Sequence, residues 1–463
     1  MSQGPRRPAP SPQRRRSSRP SLKSQLLVLF GILFLASGAF YTALVVAQQA
    51  YPIFFPGKHL DYGFSGLPGI SDGKSEDVSG RRQNFLVMGI DRRPYEGKAP
   101  TRTDTMFVMS IDPQTHSART LAMPRDLWIK IPLSGGGSTM GRINTAYAIG
   151  ETRQKGEGIK TVEKAVEDLL GLKIDHYVML DFQGFREIIK LLDGVEVEVP
   201  PDLGVDDPSY SESERLGDYY PCVFEGGKTY RMDPSQALCY ARVRNGSDDR
   251  ERILRQQTVI DAVVKKAAQL NILSSPGTMF ELWKRYKDTI ETDVNDLQVP
   301  GFASLAASID RNAISYLSLG GVTTGWTTPD GAAVLLASEA GIKLLVDAFL
   351  SDNRLEQENA VIEVQNASGR KGEETKAVDL FLDFGIAKGN LITSPAASET
   401  GQTQIIDFSG KAYTAQRIAG WMELPNARIR ISTPEDAALR VDPRADIVVL
   451  LGSDANFESA QSR

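Results

Sequence analysis

Five charged residues in the first third of the chain have the types and the spacing of a metal and phosphate site. Asp91 follows the apolar run FLVMGI, Arg102 and Asp104 flank the start of the run TMFVMSI, and Arg125 and Asp126 follow the run ARTLAM. Carboxylate oxygens are hard ligands that suit Mg²⁺, and guanidinium groups donate paired hydrogen bonds to phosphate oxygens. We therefore expect a site for a divalent ion and a phosphorylated ligand, with surface ion pairs as the alternative.

Three short strands must bring these charges together. The apolar runs predict strands at 85–90, 105–111 and 118–123, each bounded by charged or turn-forming residues. The link between the second and third runs is short enough for an antiparallel hairpin. If the first strand runs parallel to the third, all five charges lie at one edge of the sheet.

A second cluster of basic residues lies between residues 242 and 255. On an extended segment Arg242 and Arg244 would point to the same side. A helix predicted from Asp248 or Asp249 to about residue 267 places Arg252 and Gln256 one turn apart. Arginines packed this densely generally need an anion, although a solvated helix face is the alternative. The five arginines of the cluster are Arg242, Arg244, Arg250, Arg252 and Arg255.

The net charge of the chain is unevenly distributed. The first 25 residues carry seven basic side chains and no acidic one, which leaves 46 basic against 58 acidic residues in the remainder. A body with a net charge near −12 is a poor general binder of nucleic acid, because that binding depends largely on neutralising phosphates. We therefore expect no nucleic-acid partner.

Residues 26–47 are apolar or small and carry no charge. A run of this length spans a bilayer as a helix of about 20 residues, and the basic residues before it place the N-terminus in the cytoplasm. A cleaved signal peptide is the alternative, but the run is longer than a typical signal-peptide core. We predict a single-pass protein of the cell membrane whose domains lie outside the cytoplasm.

Two cysteines and three histidines limit the available chemistry. Cys222 and Cys239 could form a disulfide outside the cytoplasm or remain buried thiols. His59, His116 and His176 lie beside none of the charged motif residues. This placement disfavours histidine-based catalysis and His-rich metal sites.

Strand and helix patterns alternate in the following stretch. Apolar spacing predicts a helix at 159–170, a strand at 177–180, a helix at 185–192 and a half-exposed strand at 195–199. This alternation predicts an α/β domain with helices on both faces of a sheet. The segment 200–220 is long for a connection and is predicted to be a loop that flanks a ligand.

Six short motifs occur together in the order and spacing of a known family. They are GID at 89–91, RTDT at 102–105, MPRD at 123–126, RINTAY at 142–147, ARVR at 241–244 and D-x-x-RILRQQ at 249–257. Over residues 82–268 the chain resembles the LytR-CpsA-Psr domain, and residues 360–452 more loosely resemble the LytR C-terminal domain.

The resemblance implies an α/β/α sandwich with a central mixed sheet, a smaller α/β C-terminal domain and one N-terminal transmembrane helix. It also implies a membrane-anchored phosphotransferase of cell wall assembly. Such an enzyme transfers a glycopolymer phosphate from a polyprenyl diphosphate carrier to a peptidoglycan hydroxyl, with Mg²⁺ or Mn²⁺ as cofactor. The alternative is a non-catalytic envelope scaffold that binds polyprenyl phosphates or anionic glycopolymers.

The resemblance also implies roles for individual residues. Asp91 and Asp104 match the family's metal-linked acidic positions and, with Arg102, are expected to be catalytic; either aspartate could act as the base. The family's diphosphate-binding positions are matched by Arg102, Arg125, Arg242, Arg244, Arg252 and Gln256. The apolar faces of the helices at 159–170 and 185–192 are candidates for a polyprenyl slot, with ordinary core as the alternative.

These observations predict six segments. They are a disordered basic cytoplasmic tail (1–25), a transmembrane helix (26–47), a stalk (48–81), the LytR-CpsA-Psr catalytic domain (82–268), a helical extension or spacer (269–354) and a LytR C-terminal-like domain (355–455).

Overall fold

Short apolar runs pair into a mixed, six-stranded central sheet. In spatial order its strands are β11 (Ile290–Thr292), β6 (His176–Asp181), β1 (Gln83–Ile90), β2 (Thr103–Asp112), β3 (Ser117–Ala122) and β12 (Ile314–Ser318). The pairs β1–β6 and β3–β12 are parallel, and the other three pairs are antiparallel. The predicted α/β class with a central mixed sheet is confirmed.

The computed structural model describes residues 81–90, 101–211, 219–243, 249–270, 281–284, 287, 290–296, 298–309, 314–351, 354–455 and 457. The predicted tail, transmembrane helix and stalk lie outside these residues, and so do Asp91 and Arg244. Among the helices of the described ranges, none is long and apolar enough to cross a bilayer.

The strand directions confirm the predicted convergence of charged strand ends. β2 pairs antiparallel with both β1 and β3, so β1 and β3 run in the same direction. The end of β1, the start of β2 and the end of β3 therefore lie at one edge of the sheet. Gly89 faces Thr105 across the β1–β2 pair, and a Cβ at Gly89 would lie 3.1 Å from the Thr105 Cβ.

Apolar side chains cover both faces of the central sheet, because successive residues of a strand point to opposite faces. Leu86 and Met88 pack in one hydrophobic cluster, whereas Phe85 and Val87 pack in another. The described residues before the C-terminal sheet include the helices α1 (Ala146–Arg153), α2 (Gly158–Leu170), α3 (Phe182–Leu191), α4 (Pro234–Arg242), α5 (Asp249–Gln269), α6 (Val299–Ser308) and α7 (Glu339–Leu350). Side chains of α2 join the first cluster and side chains of α6 the second, as a sandwich requires.

Four two-stranded ribbons surround the central sheet. They are β4 (Trp128–Pro132) with β5 (Ser138–Arg142), β7 (Val195–Glu198) with β10 (Thr229–Met232), β8 (Val205–Ser211) with β9 (Tyr219–Phe224), and β13 (Thr323–Thr327) with β14 (Ala333–Ala337). The prediction of a continuous loop at 200–220 is wrong, because β8 and the start of β9 pair within it.

The segment 269–354, expected to be a helical spacer, contributes strands to the central sheet. β11 pairs with β6 at one edge of this sheet, and β12 pairs with β3 at the other. Both edge strands of the sheet thus lie after residue 268, where the catalytic domain is predicted to end. The sequence pattern at 314–319 does predict a strand, but the pairing of this strand with β3 is long-range and leaves no local signal.

A second, five-stranded sheet forms the C-terminal part. In spatial order its strands are β16 (Leu391–Pro395), β15 (Ile362–Asn366), β19 (Ile447–Leu451), β17 (Gln404–Asp407) and β18 (Ile429–Ile431), and its helices are α8 (Arg354–Glu358), α9 (Glu373–Asp383) and α10 (Ala412–Trp421). Leu317 of β12 and Leu319, just after this strand, share one hydrophobic cluster with Leu380 and Phe381 of α9. The described residues belong to one compact unit.

The half-buried Glu163 on α2 gives folding a pH dependence that can be measured. Burial raises the pKa of Glu163 to about 7, Asp293 and Glu167 act in the same direction, and His176 opposes them. Since the ordinary pKa is 4.5, this group favours folding at pH values below its ordinary pKa, and the contribution is lost as the pH rises to about 7.

We expect Glu163→Gln to remove this dependence. Relative to the wild type, the free energy of unfolding of the variant should increase between about pH 5 and about pH 8, measured by urea denaturation. Glu196→Gln, at an exposed position of β7, is the control. Parallel pH profiles for the wild type and Glu163→Gln would contradict the prediction.

Candidate functional site

The edge of the central sheet brings a carboxylate and a guanidinium together. Asp104 is the second residue of β2, and Arg125 lies just beyond the end of β3. Nη1 of Arg125 donates to Oδ1 of Asp104 at 3.4 Å, and both side chains are partly exposed. The predicted proximity of these two residues is confirmed.

A second carboxylate at this edge lies between two guanidinium groups. Asp126 is 3.4 Å from Nε of Arg125 and 3.1 Å from Nε of Arg142. The backbone fixes the same turn, since the amide of Asn144 donates to the carbonyl of Arg125 at 3.3 Å. The sequence places Arg142 in the RINTAY motif but does not predict its contact with Asp126, because the two residues are 16 positions apart.

A cleft opens beside Asp104 and Arg125. Arg252 and Gln256 of α5 line the same cleft, so four of the predicted site residues meet there. The remaining walls are largely apolar, with Met106, Phe107, Met123, Ile253 and Ile260 among the lining residues. A cleft with a charged end and apolar walls suits an amphiphilic ligand that carries a phosphate.

The residues that hold α5 beside this cleft include a fully buried arginine. Nε of Arg255 donates to the carbonyl of Tyr240 at 3.1 Å, and Nη2 donates to the carbonyl of Val243 at 2.6 Å. Nε2 of Gln256 donates to the carbonyl of Ala241 at 3.3 Å. The prediction that Arg255 belongs to a group of arginines that need an external anion is wrong, because this guanidinium is inaccessible and binds the C-terminal end of α4 instead.

Arg242 lies at that end of α4 but is not among the residues that line the cleft. Its guanidinium carbon is 3.9 Å from the centre of the Phe182 ring, and Nη1 donates to Oη of Tyr210 at 3.1 Å. The prediction that Arg242 lies on an extended segment is wrong. A capping box formed by Asp233 and Gln236 starts α4, and Arg242 is its last residue.

Arg102 is exposed and precedes Asp104 by two residues at the start of β2. It lies at the charged edge of the sheet but not among the residues lining the cleft. Asp91 and Arg244, the remaining predicted site residues, lie outside the described residues.

The two helix faces proposed as a polyprenyl slot are ordinary core. Val162 and Val166 of α2 are completely buried in the main hydrophobic cluster, and Ile189 of α3 is completely buried in a second one. The apolar walls that are accessible belong to α5 and the central sheet, through residues such as Ile253 and Phe107.

The protein side chains of the cleft could bind Mg²⁺ only if a phosphorylated ligand supplied further oxygen atoms. Within the described ranges no group of three histidine, cysteine or acidic side chains could hold a metal by itself. Mg²⁺ is usually bound through one or two carboxylates, with water and substrate phosphates completing the shell. Asp104, at the charged end of the cleft, fits such an arrangement.

A disulfide supports the helix that presents Arg242. Cys222 of β9 and Cys239 of α4 are bonded, with their Cα atoms 6.0 Å apart. Both side chains are completely buried in the hydrophobic cluster beneath β7. Of the two alternatives left by the sequence, the structure has the disulfide.

Comparison with known proteins gives a consistent result. The LytR_cpsA_psr family model matches residues 69–346. The polyisoprenyl-teichoic acid–peptidoglycan teichoic acid transferase TagU of Bacillus cereus is 26% identical over 303 residues, which cover 61% of this chain and 88% of that protein. TagU of Halalkalibacterium halodurans is 30% identical over 227 residues, covering 49% and 64%. The crystal structure of TagV from B. subtilis superimposes with a TM-score of 0.46 at 23% identity, covering 58% and 97%.

We expect the disulfide to stabilise the fold substantially. It closes a loop with a sequence separation of 17, for which restriction of the unfolded chain is worth about 3 kcal/mol. The double variant Cys222→Ala, Cys239→Ala should lose about that free energy of unfolding in urea denaturation. Wild type with its disulfide reduced is the matched control and should behave like the variant. A loss below about 1 kcal/mol in both would contradict the prediction.

Proposed function

This chain belongs to the LytR-CpsA-Psr family, and from that premise we propose that it is a membrane-anchored phosphotransferase of cell wall assembly. It transfers a glycopolymer phosphate from a polyprenyl diphosphate carrier to a hydroxyl group of peptidoglycan. Its relatives named TagU are named as transferases of teichoic acid to peptidoglycan, which supports the reaction class.

The observation that carries this proposal is the composition of the cleft. Arg125, Arg252 and Gln256 supply hydrogen-bond donors at its charged end, where phosphate oxygens of a carrier lipid would bind. Ile253 and Ile260 of α5 supply an apolar wall for the first isoprene units. One ligand that needs both surfaces is a polyprenyl diphosphate.

The chemistry of the transfer follows from these groups. An acceptor hydroxyl oxygen bonds to the phosphorus that carries the glycopolymer, and the bond from this phosphorus to the bridging oxygen breaks, which releases polyprenyl phosphate. Guanidinium groups neutralise the charge that develops on the departing phosphate. The hydroxyl proton goes to a carboxylate, and Asp104 is the described carboxylate that lines the cleft.

The proposed reaction also uses a divalent metal ion. Asp104, together with Asp91 outside the described residues, would hold Mg²⁺ or Mn²⁺ beside the diphosphate. When bound, such an ion neutralises phosphate charge and orients the phosphate oxygens. Without it, Asp104 would repel the diphosphate, although its contact with Arg125 reduces that repulsion.

The cellular placement is also part of the proposal. Residues 26–47 are proposed to span the cell membrane once, with the basic tail in the cytoplasm and the cleft outside. The disulfide between Cys222 and Cys239 supports this placement, because disulfides persist mainly in oxidising compartments.

We expect Asp104→Ala and Arg102→Ala each to reduce transfer by roughly a hundredfold or more, because each removes a charge from the edge where phosphate is transferred. The assay measures polymer-linked peptidoglycan formed by the full-length protein from a lipid-linked donor with Mg²⁺. Asp168→Ala and Arg153→Ala, which change exposed residues of α2 and α1, are the matched controls. Wild-type transfer rates in both site variants would refute the assignment.

Metal removal separates the phosphotransferase from the scaffold alternative. With EDTA we expect transfer to stop and donor binding to weaken, and added Mg²⁺ or Mn²⁺ should restore both. A scaffold would bind the donor without forming linked product under any metal condition. Transfer that persists unchanged in EDTA would show that the metal assignment is wrong.

A further inference from the structure

The first turn of α5 is attached to the C-terminal sheet domain. Nη1 of Arg250 donates to Oδ2 of Asp383 at 2.5 Å, and Nη2 donates to the backbone carbonyl of Asp379 at 2.8 Å. Nε of the same arginine is 3.4 Å from Oδ1 of Asp379. One guanidinium of α5 is therefore held at several points by the end of α9.

The same turn of α5 also carries Arg252, which faces the cleft, and Gln256 faces the cleft one turn later. Arg250 and Arg252 are two residues apart, which places them on nearly opposite sides of a helix with 3.6 residues per turn. Arg250 contacts α9, whereas Arg252 and Gln256 line the cleft. Any rotation or fraying of this turn would move both sets of contacts together.

The Asp383 end of the contact is rigidly packed. Asp383 is 4% exposed, and a Cβ added to Gly321 would lie 2.7 Å from the Asp383 Cβ. Burial raises the pKa of Asp383 to about 7, with the Arg250 guanidinium acting in the opposite direction. A desolvated carboxylate in a close-packed position has little freedom to follow a displaced partner.

We propose that Asp383 is a positioning residue through which the C-terminal domain fixes the first turn of α5, and so holds Arg252 and Gln256 opposite Arg125 and Asp104. The C-terminal domain then forms part of the diphosphate site without contacting the ligand. This inference rests on the proposed function, because it names what orients the residues assigned to the diphosphate. A displacement of about 1 Å at such groups is enough to weaken binding and transfer strongly.

Two variants disturb this contact from different sides. Asp383→Asn keeps the size of the side chain and removes its charge, and Gly321→Ala adds a methyl group that displaces Asp383. In the full-length protein we expect both to accelerate amide hydrogen exchange in residues 249–257. We also expect both to weaken binding of geranylgeranyl diphosphate about tenfold, an ordinary size for coupling between sites.

Two controls separate positioning from general loosening. Lys388→Ala removes a different contact between the C-terminal part and the preceding domain, the ion pair with Asp202. Val364→Ala removes buried volume from the C-terminal core and lowers thermal stability. Both should leave exchange in 249–257 and affinity for the probe at wild-type levels.

The outcomes distinguish the inference from the proposed function. The inference would be overturned if amide hydrogen exchange in residues 249–257 were the same in Asp383→Asn and Gly321→Ala as in the wild type. It would also be overturned if Val364→Ala weakened the binding of geranylgeranyl diphosphate as much as these two variants do. A wild type that does not bind geranylgeranyl diphosphate would overturn the proposed function, while the exchange comparison would still decide whether Asp383 fixes α5.

Discussion

The hydrogen bonds of the buried Arg255 are the constraint on which the site depends. A guanidinium cannot lose its charge, so a completely buried one must have its donors met by the protein. The carbonyls of Tyr240 and Val243 at the end of α4 accept from Nε and Nη2, and Nη1 lies 3.7 Å from a carboxylate oxygen of Glu251. The two carbonyls fix α5 against α4, and this fixed helix presents Arg252 and Gln256 to the sheet edge. Arg252, which lines the cleft and is 4% exposed, is thus positioned by the completely buried Arg255 three residues later.

The sequence predicted the sheet edge well and the helix contacts poorly, for a physical reason. Strand ends are marked locally by the switch from apolar to charged residues, so the proximity of Asp104 and Arg125 followed from three short runs and a hairpin. Nothing local distinguishes Arg255, which binds α4, from Arg252, which lines the cleft, because both are arginines on one helix and their contacts depend on what packs against them. The contacts of Asp126 with Arg142, and of β12 with β3, also depend on distant partners and could not be predicted from the sequence alone.

The contacts of the arginines near the cleft explain how an acidic chain can bind the proposed anionic ligand. Three arginines near the cleft have an acidic or carbonyl partner in the fold: Arg125 contacts Asp104, Arg255 contacts two carbonyls, and Arg250 contacts Asp383. Such partners keep guanidinium groups close together despite their mutual repulsion. At the partly exposed Arg125, phosphate oxygens can compete with the carboxylate, because a contact of 3.4 Å at the surface stabilises little.

The C-terminal sheet domain shares a hydrophobic core with the preceding domain. A domain that only recruits a partner would not need such a core. A module that only recruits a partner needs a linker and an exposed surface, and its interface with the catalytic part can be small and polar. Here Leu317 and Leu319 share a continuous core with Leu380 and Phe381. Buried polar contacts such as Arg119 with Glu356, at 2.9 Å and 3.0 Å, add directional constraints to that core. Since apolar burial fixes the domains together and directional contacts fix their orientation, the end of α9 can act on α5 as one rigid part of the site.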